Sequence, residues 1–188
     1  MSLCDLILYT TQYRGGGAEF QAAAETLNRQ LVEQGDVPVR CERIESKKDF
    51  LRAFDKLKAD DLLIRQFHFF GHSGMYGIMF GSVQWPEQFS PYEWRQMQLP
   101  VNKNSEFYFH ACRSGRWFAP FVARTLGVKT YGYHNYTTVS ASKEKFSWKK
   151  WRKETGDTYI IACPGKKSHG YAGSIKKYLG TPADLMSA

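Results

Sequence analysis

Leu62-Leu63-Ile64-Arg65-Gln66-Phe67-His68-Phe69-Phe70-Gly71-His72-Ser73-Gly74 is an apolar, strand-like run that stops at a small-residue turn, with His72 at the stop. A second stretch has the same build: Ser105-Glu106-Phe107-Tyr108-Phe109-His110-Ala111-Cys112-Arg113-Ser114-Gly115, with Cys112 at its turn. The two reactive side chains are forty residues apart (112 − 72 = 40). Adjacent parallel strands would set their carboxyl ends side by side and bring a base and a thiol together. Nucleophilic cysteine catalysis requires that geometry.

Outward from these runs, the chain alternates strand and helix signals. Leu3–Thr10 is apolar and β-branched enough for a buried first strand, and Gly15-Gly16-Gly17 breaks it. Ala18–Glu33 is rich in Ala, Leu, Glu and Gln and predicts a helix that Gly35 ends. Val37–Ile44 alternates as a second strand. Ser46–Leu57 opens on a capping-box-like Ser46 and Asp49 and carries Phe50, Leu51, Phe54 and Leu57 at helical spacing. After the third strand, Met75–Val83 predicts a hairpin or loop, and Pro91–Met97 a short helix behind Ser90. Glu106–Ala111 is the fourth strand, Trp117–Leu126 a helix, and Lys129–His134 the fifth strand. Thr158–Ala162 is the sixth strand and Gly170–Leu179 a last short helix, whereas the polar, basic stretch Thr137–Thr155 is left without assignment. This order predicts one α/β domain over residues 1–188, a three-layer αβα sandwich with a mostly parallel sheet of about six strands. Ligands of such sheets bind at the carboxyl ends of the strands, where His72, Cys112 and the loops after His134 and Cys163 all fall.

Bulk properties agree with an ordinary globular chain. It has 188 residues, 43% hydrophobic and 23% charged, which suits one sizeable core. No apolar run approaches the roughly 20 residues of a membrane span. The start Met1-Ser2-Leu3-Cys4-Asp5 lacks the basic region of a signal peptide. Cys4, Cys41, Cys112 and Cys163 do not form a disulfide framework and read as reduced thiols of a cytoplasmic protein. No cofactor is expected, and no metal either, since no suitable loop carries paired metal-ligand spacing. The net charge of +8 gathers late, at Lys143, Lys145, Lys149, Lys150, Arg152, Lys153, Lys166, Lys167, Lys176 and Lys177. That Lys-rich C-terminal face is either a solvated surface or a site for an anionic ligand; without a nucleic-acid motif, neither nucleic acid nor a membrane is the expected partner.

Within the candidate site, a thiol at Cys112 would feel the N-terminus of the helix expected near Arg116, together with Arg113 and Arg116, all of which favour thiolate. Against this stands Cys112 as a small buried hydrophobe. His68 and His110 lie inside apolar runs and read as hydrogen-bonded core residues, the alternative for His110 being a group behind Cys112 or a substitute base. His134 borders the same cleft, and His169 sits in a weakly phosphate-like loop. Gly71-His72-Ser73-Gly74-Met75 nearly matches a serine nucleophile elbow, which would make Ser73 the nucleophile of a serine hydrolase, yet the Gly- and aromatic-rich sequence that follows argues against the helix an elbow needs. The loop Thr10–Gly17 could cradle a phosphate, as in flavodoxin-like proteins, or be glycine-rich for conformation alone.

The two blocks ending Phe70-Gly71-His72-Ser73-Gly74 and His110-Ala111-Cys112-Arg113-Ser114-Gly115 resemble the caspase-like cysteine peptidases, which include caspases, metacaspases, legumains and the self-cleaving domains of large bacterial toxins. The resemblance covers roughly residues 60–135. It implies a caspase–haemoglobinase fold and a cysteine endopeptidase with His72 as base and Cys112 as nucleophile. The oxyanion hole would come from backbone N–H groups of Cys112 and of the Ser73-Gly74 turn. Ser73 departs from the pattern, which has Gly directly after the His. Basic residues in the substrate pocket accompany acidic substrates in that group, so Arg113, Arg116, His134 and Lys143 are pocket candidates. The toxin domains bind inositol hexakisphosphate on a Lys/Arg surface, a role the late lysines would fit. The competing reading from another class is a non-catalytic caspase-like or flavodoxin-like module that binds an anionic ligand or a protein partner.

Overall fold

Alternate residues of β3 (Leu62–Phe70) and β7 (Glu106–His110) set the layers. Phe67, Phe69, Phe107 and Phe109 are buried on one face, in a cluster with Phe50, Phe54 and Leu57 of α2 (Lys47–Ala59) and Phe118, Phe121 and Val122 of α4 (Phe118–Leu126). Ile7 of β1 (Ser2–Tyr9) and Phe70 face the other way, against Phe20, Ala23, Ala24 and Leu31 of α1 (Gly17–Gln34). Helices thus cover both faces of one sheet, as a strand with period-two apolar faces demands. The structure, a computed structural model, describes residues 2–74, 76–143 and 156–163 and the backbone of 175–178.

Five strands run parallel in the order β8 (Lys129–Tyr133), β7, β3, β1, β2 (Val39–Arg43). Against the outer edge of β8 lies β11 (Ile175–Tyr178), antiparallel, with Ile175 opposite Tyr133. Each helix starts and stops where local chemistry directs. Ser46 caps α2 by accepting from the Asp49 N–H at 3.1 Å, and the Asp49 carboxylate accepts from the Glu45 N–H at 3.1 Å. A full capping box between Ser90 and Glu93 opens α3 (Pro91–Gln96). Gly35 closes α1 with φ 69°, in the left-handed region that suits glycine.

Two expectations fail in the last third. Residues 159–162 do form a strand, β10 (Tyr159–Ala162), but it pairs antiparallel with β9 (Thr137–Ser140) in a separate ribbon and does not join the main sheet. The helix expected over 170–179 is contradicted at 175–178, which are the extended residues of β11; the rest of that segment lies outside the described residues. A run as short as Ile175-Lys176-Lys177-Tyr178 has no decisive period of its own, and the open edge of β8 supplies the hydrogen bonds that make it a strand. The expected hairpin after His72 is present as β4 (Ser73–Gly74), β5 (Gly77–Gly81) and β6 (Pro86–Gln88), paired in that order. Among the described residues no helix is long and apolar enough to cross a membrane.

Candidate functional site

The parallel register of β3 and β7 pairs Phe70 with His110, so His72 and Cys112 each stand two residues past the last matched pair. Their turns touch: the Ser73 hydroxyl donates to the Cys112 carbonyl. The neighbouring strands complete a row. From the loop after β1, the Gly15 carbonyl accepts from His72 Nε2 at 2.7 Å. From the segment after β8, Thr137 holds the Cys112 sulfur, its N–H donating at 3.3 Å and its Oγ1 standing at 3.2 Å. Thr137, Cys112, His72 and Gly15 therefore follow the sheet order β8, β7, β3, β1 along one carboxyl edge.

His72 is half-buried between the edges of Tyr13 and Phe20, with ring centroids at 5.7 and 5.0 Å. Burial pushes its pKa below the usual histidine value, the Gly15 hydrogen bond partly opposes this, and the Arg14 charge adds to it. The neutral ring is thereby favoured. Because a carbonyl can only accept, the ring proton is on Nε2, and Nδ1 is left as the basic nitrogen. The glycine-rich loop that supplies this carbonyl is set by sterics: a Cβ on Gly17 would lie 2.4 Å from the Thr11 carbonyl oxygen, and Gly16 has φ 98°. What it offers His72 at Gly15 is an acceptor, whereas a phosphate cradle would offer donors.

The turn carrying Cys112 is fastened to β8 and the segment after it. The Gly115 N–H donates to the Tyr133 carbonyl at 2.7 Å, the Tyr133 N–H to Ser114 Oγ at 3.1 Å, and the Arg113 N–H to the Asn135 carbonyl at 2.9 Å. Arg113 takes φ 57°, a left-handed conformation that costs a non-glycine residue about 1 kcal/mol. Helix α4 begins only at Phe118, and the Ala119 N–H is taken by the Ser114 carbonyl at 2.8 Å. The backbone donor at the sulfur is thus Thr137 rather than the helix terminus expected near Arg116.

The pocket candidates separate. The Arg113 guanidinium stacks over the Tyr136 ring at 4.2 Å, beside Cys112. Arg116 donates to the His134 carbonyl at 2.7 Å and to Asn135 Oδ1 at 3.3 Å, so it braces the same segment. His134 itself is exposed. The charge of Lys143 acts on His68 and His110. Of those two histidines His68 is buried in the core, as expected, and His110 is half-buried beside it: His68 Nδ1 and His110 Nε2 lie 3.1 Å apart, and His110 stacks on Phe70 at 4.2 Å. Burial, the first cause for both, holds their pKa values down, that of His110 to about 3.

Ser73 leads into the β4–β5 hairpin, so it lacks the strand–turn–helix of a nucleophile elbow, and its hydroxyl is committed to Cys112. Cys4 is in the core; burial raises Cys4 and Cys163 and pushes Cys41 up to about 11. Except for Lys143 and the backbone of 176 and 177, the late lysines lie outside the described residues, as does His169. Sequence reasoning missed Gly15, whose contribution is a carbonyl that every residue has, and Thr137. A hydroxyl just past the fifth strand was the one signal that pointed to the latter. Comparison of the chain with protein-family models and with curated proteins gave no match.

Proposed function

We propose that the chain is a cysteine endopeptidase of caspase-like architecture, acting through a His72–Cys112 dyad. The observation that carries this reading is the row along the sheet edge, in which His72 is oriented by the Gly15 carbonyl and the half-buried Cys112 thiol sits two residues past the same strand register. A nucleophile, a base and a third group that orients the base are the parts acyl transfer needs. In this mechanism His72 Nδ1 takes the thiol proton and Cys112 Sγ attacks the scissile carbonyl. The tetrahedral oxyanion is held by backbone N–H groups of Cys112 and of the Ser73-Gly74 turn. The protonated ring then gives its proton to the leaving amine. Water, deprotonated by the same nitrogen, hydrolyses the thioester and regenerates the thiol. Arg113, with Arg116, His134 and Lys143 as further candidates, would favour an acidic or neutral substrate side chain. The Lys-rich C-terminal segment would take an anionic ligand.

Iodoacetamide labelling of the native protein at pH 6.5, with the modified cysteine located by mass spectrometry, tests the dyad in wild type and His72→Ala. Fast labelling at Cys112 that slows in the variant supports it, and Cys112-dependent cleavage of a peptide library would follow. Cys112 labelling no faster than Cys41 would sink the reading in favour of a binding module.

A further inference from the structure

We propose that Thr137 is a third catalytic side chain of this site, whose hydroxyl holds the Cys112 sulfur in the form that attacks. The inference rests on the peptidase reading and adds a residue to it. Thr137 presents two groups to one atom: the N–H at 3.3 Å and Oγ1 at 3.2 Å from Cys112 Sγ. The backbone N–H can only donate, so it always favours electron density on sulfur. The hydroxyl can do either. Opposite a neutral thiol it accepts the S–H proton; opposite a thiolate it turns and donates. The change needs only rotation of the hydroxyl hydrogen, with no heavy atom displaced. A thiolate would thus meet two preformed donors, and hydrogen bonds to a charged partner are the stronger kind.

The rest of the segment keeps these donors in place. Thr137 opens β9, opposite Ala162 of β10, and the Cys163 N–H donates to the Tyr136 carbonyl at 2.8 Å. On the other side the Cys112 turn grips the same stretch, through the Arg113 N–H on the Asn135 carbonyl and the Arg113 guanidinium on the Tyr136 ring. The sulfur and its donors are therefore fixed to each other through short, mutually braced segments, as preorganised electrostatic stabilisation requires.

The test compares Cys112 alkylation by iodoacetamide in wild type, Thr137→Val, Thr137→Ser and His72→Ala, across pH 6.5 to 10. Valine keeps the shape and the backbone N–H and removes only the hydroxyl. The expected result is labelling about tenfold slower in Thr137→Val at pH 6.5, the worth of one hydrogen bond to a charged atom. At pH 10, where the thiolate forms regardless, the rates should agree within about twofold. Thr137→Ser should restore the low-pH rate. If wild type labels fast, His72→Ala slows it and Thr137→Val does not, the inference about Thr137 is overturned while the dyad stands. Equal slowing at both pH values would also overturn it, because that is loss of packing or access. Slow labelling of Cys112 in wild type would remove both.

Discussion

Placing a methyl group on Gly132 should unseat the turn that carries Cys112. A Cβ built there lies 2.6 Å from the Gly115 nitrogen and 2.7 Å from the Ser114 carbonyl carbon, whereas ordinary contact begins at 3.4 Å. Backbone meets backbone, so no side chain can swing aside, and strand and turn must part by about 0.8 Å (3.4 − 2.6). The bond from the Gly115 N–H to the Tyr133 carbonyl would stretch from 2.7 to about 3.5 Å, and that from the Tyr133 N–H to Ser114 Oγ from 3.1 to about 3.9 Å. Losing two such bonds costs about 2 kcal/mol and overpacking about 1–3, while alanine regains about 0.5–1 in a strand. The net loss for Gly132→Ala is about 2–4.5 kcal/mol, read by urea unfolding. Cys112 alkylation at pH 6.5 should change with it, because the displaced turn carries the sulfur off Thr137. Gly35→Ala is the control: φ is 69° but nothing lies within 4 Å, so it should cost about 1–2 kcal/mol and leave alkylation alone. A Gly132→Ala protein as stable as wild type, with unchanged alkylation, would refute the close seating of the turn on β8.

Two further outcomes follow from groups away from His72 and Cys112. The Asp5 carboxylate is fully buried and takes bonds from Arg65 Nε at 2.9 Å and Nη2 at 2.5 Å, with the Gln66 N–H as a third donor at 3.2 Å. Arg65→Ala leaves that charge with the Gln66 amide, and urea unfolding at pH 7 should show a loss of about 3–5 kcal/mol; a loss below about 1 kcal/mol would mean the carboxylate has found water. For His68 and His110 the folded pKa lies below the unfolded value near 6.5, so the unfolded chain binds more protons once the pH falls below that value. Stability is therefore whole above pH 6.5 and falls on acidification toward the folded value, about 3 for His110, by up to about 1.4 kcal/mol per pH unit for each histidine. Urea midpoints at pH 7, 5.5 and 4.5 should show that slope, and His110→Phe should flatten it; a wild-type profile flat over this range would contradict the burial of the pair.

The strands and helices that position His72 and Cys112 were legible because their signals are local. The apolar run Leu62–Phe70 is as long as β3 itself, and Ser46, Ser90 and Gly35 mark helix ends by chemistry within one turn. His72 and Cys112 stood out because both interrupt apolar strands at glycine-bearing turns. Partner choice was not legible. Tyr159–Ala162 has a strand pattern, but nothing in it says whether it extends the main sheet or pairs with Thr137–Ser140. Ile175–Tyr178 is too short for its pattern to choose between helix and strand, and the edge of β8 chose.

By itself, the sequence determined the period of each element, the layering that follows from two apolar faces, and the presence of one imidazole and one thiol at strand ends. Tertiary structure alone decided the strand order, and with it the row Thr137, Cys112, His72, Gly15. Periodicity is a property of neighbours along the chain. A hydrogen bond from a ring nitrogen to a carbonyl fifty-seven residues away (72 − 15 = 57) is a property of how the crossovers return, and any residue type at position 15 would supply the same oxygen.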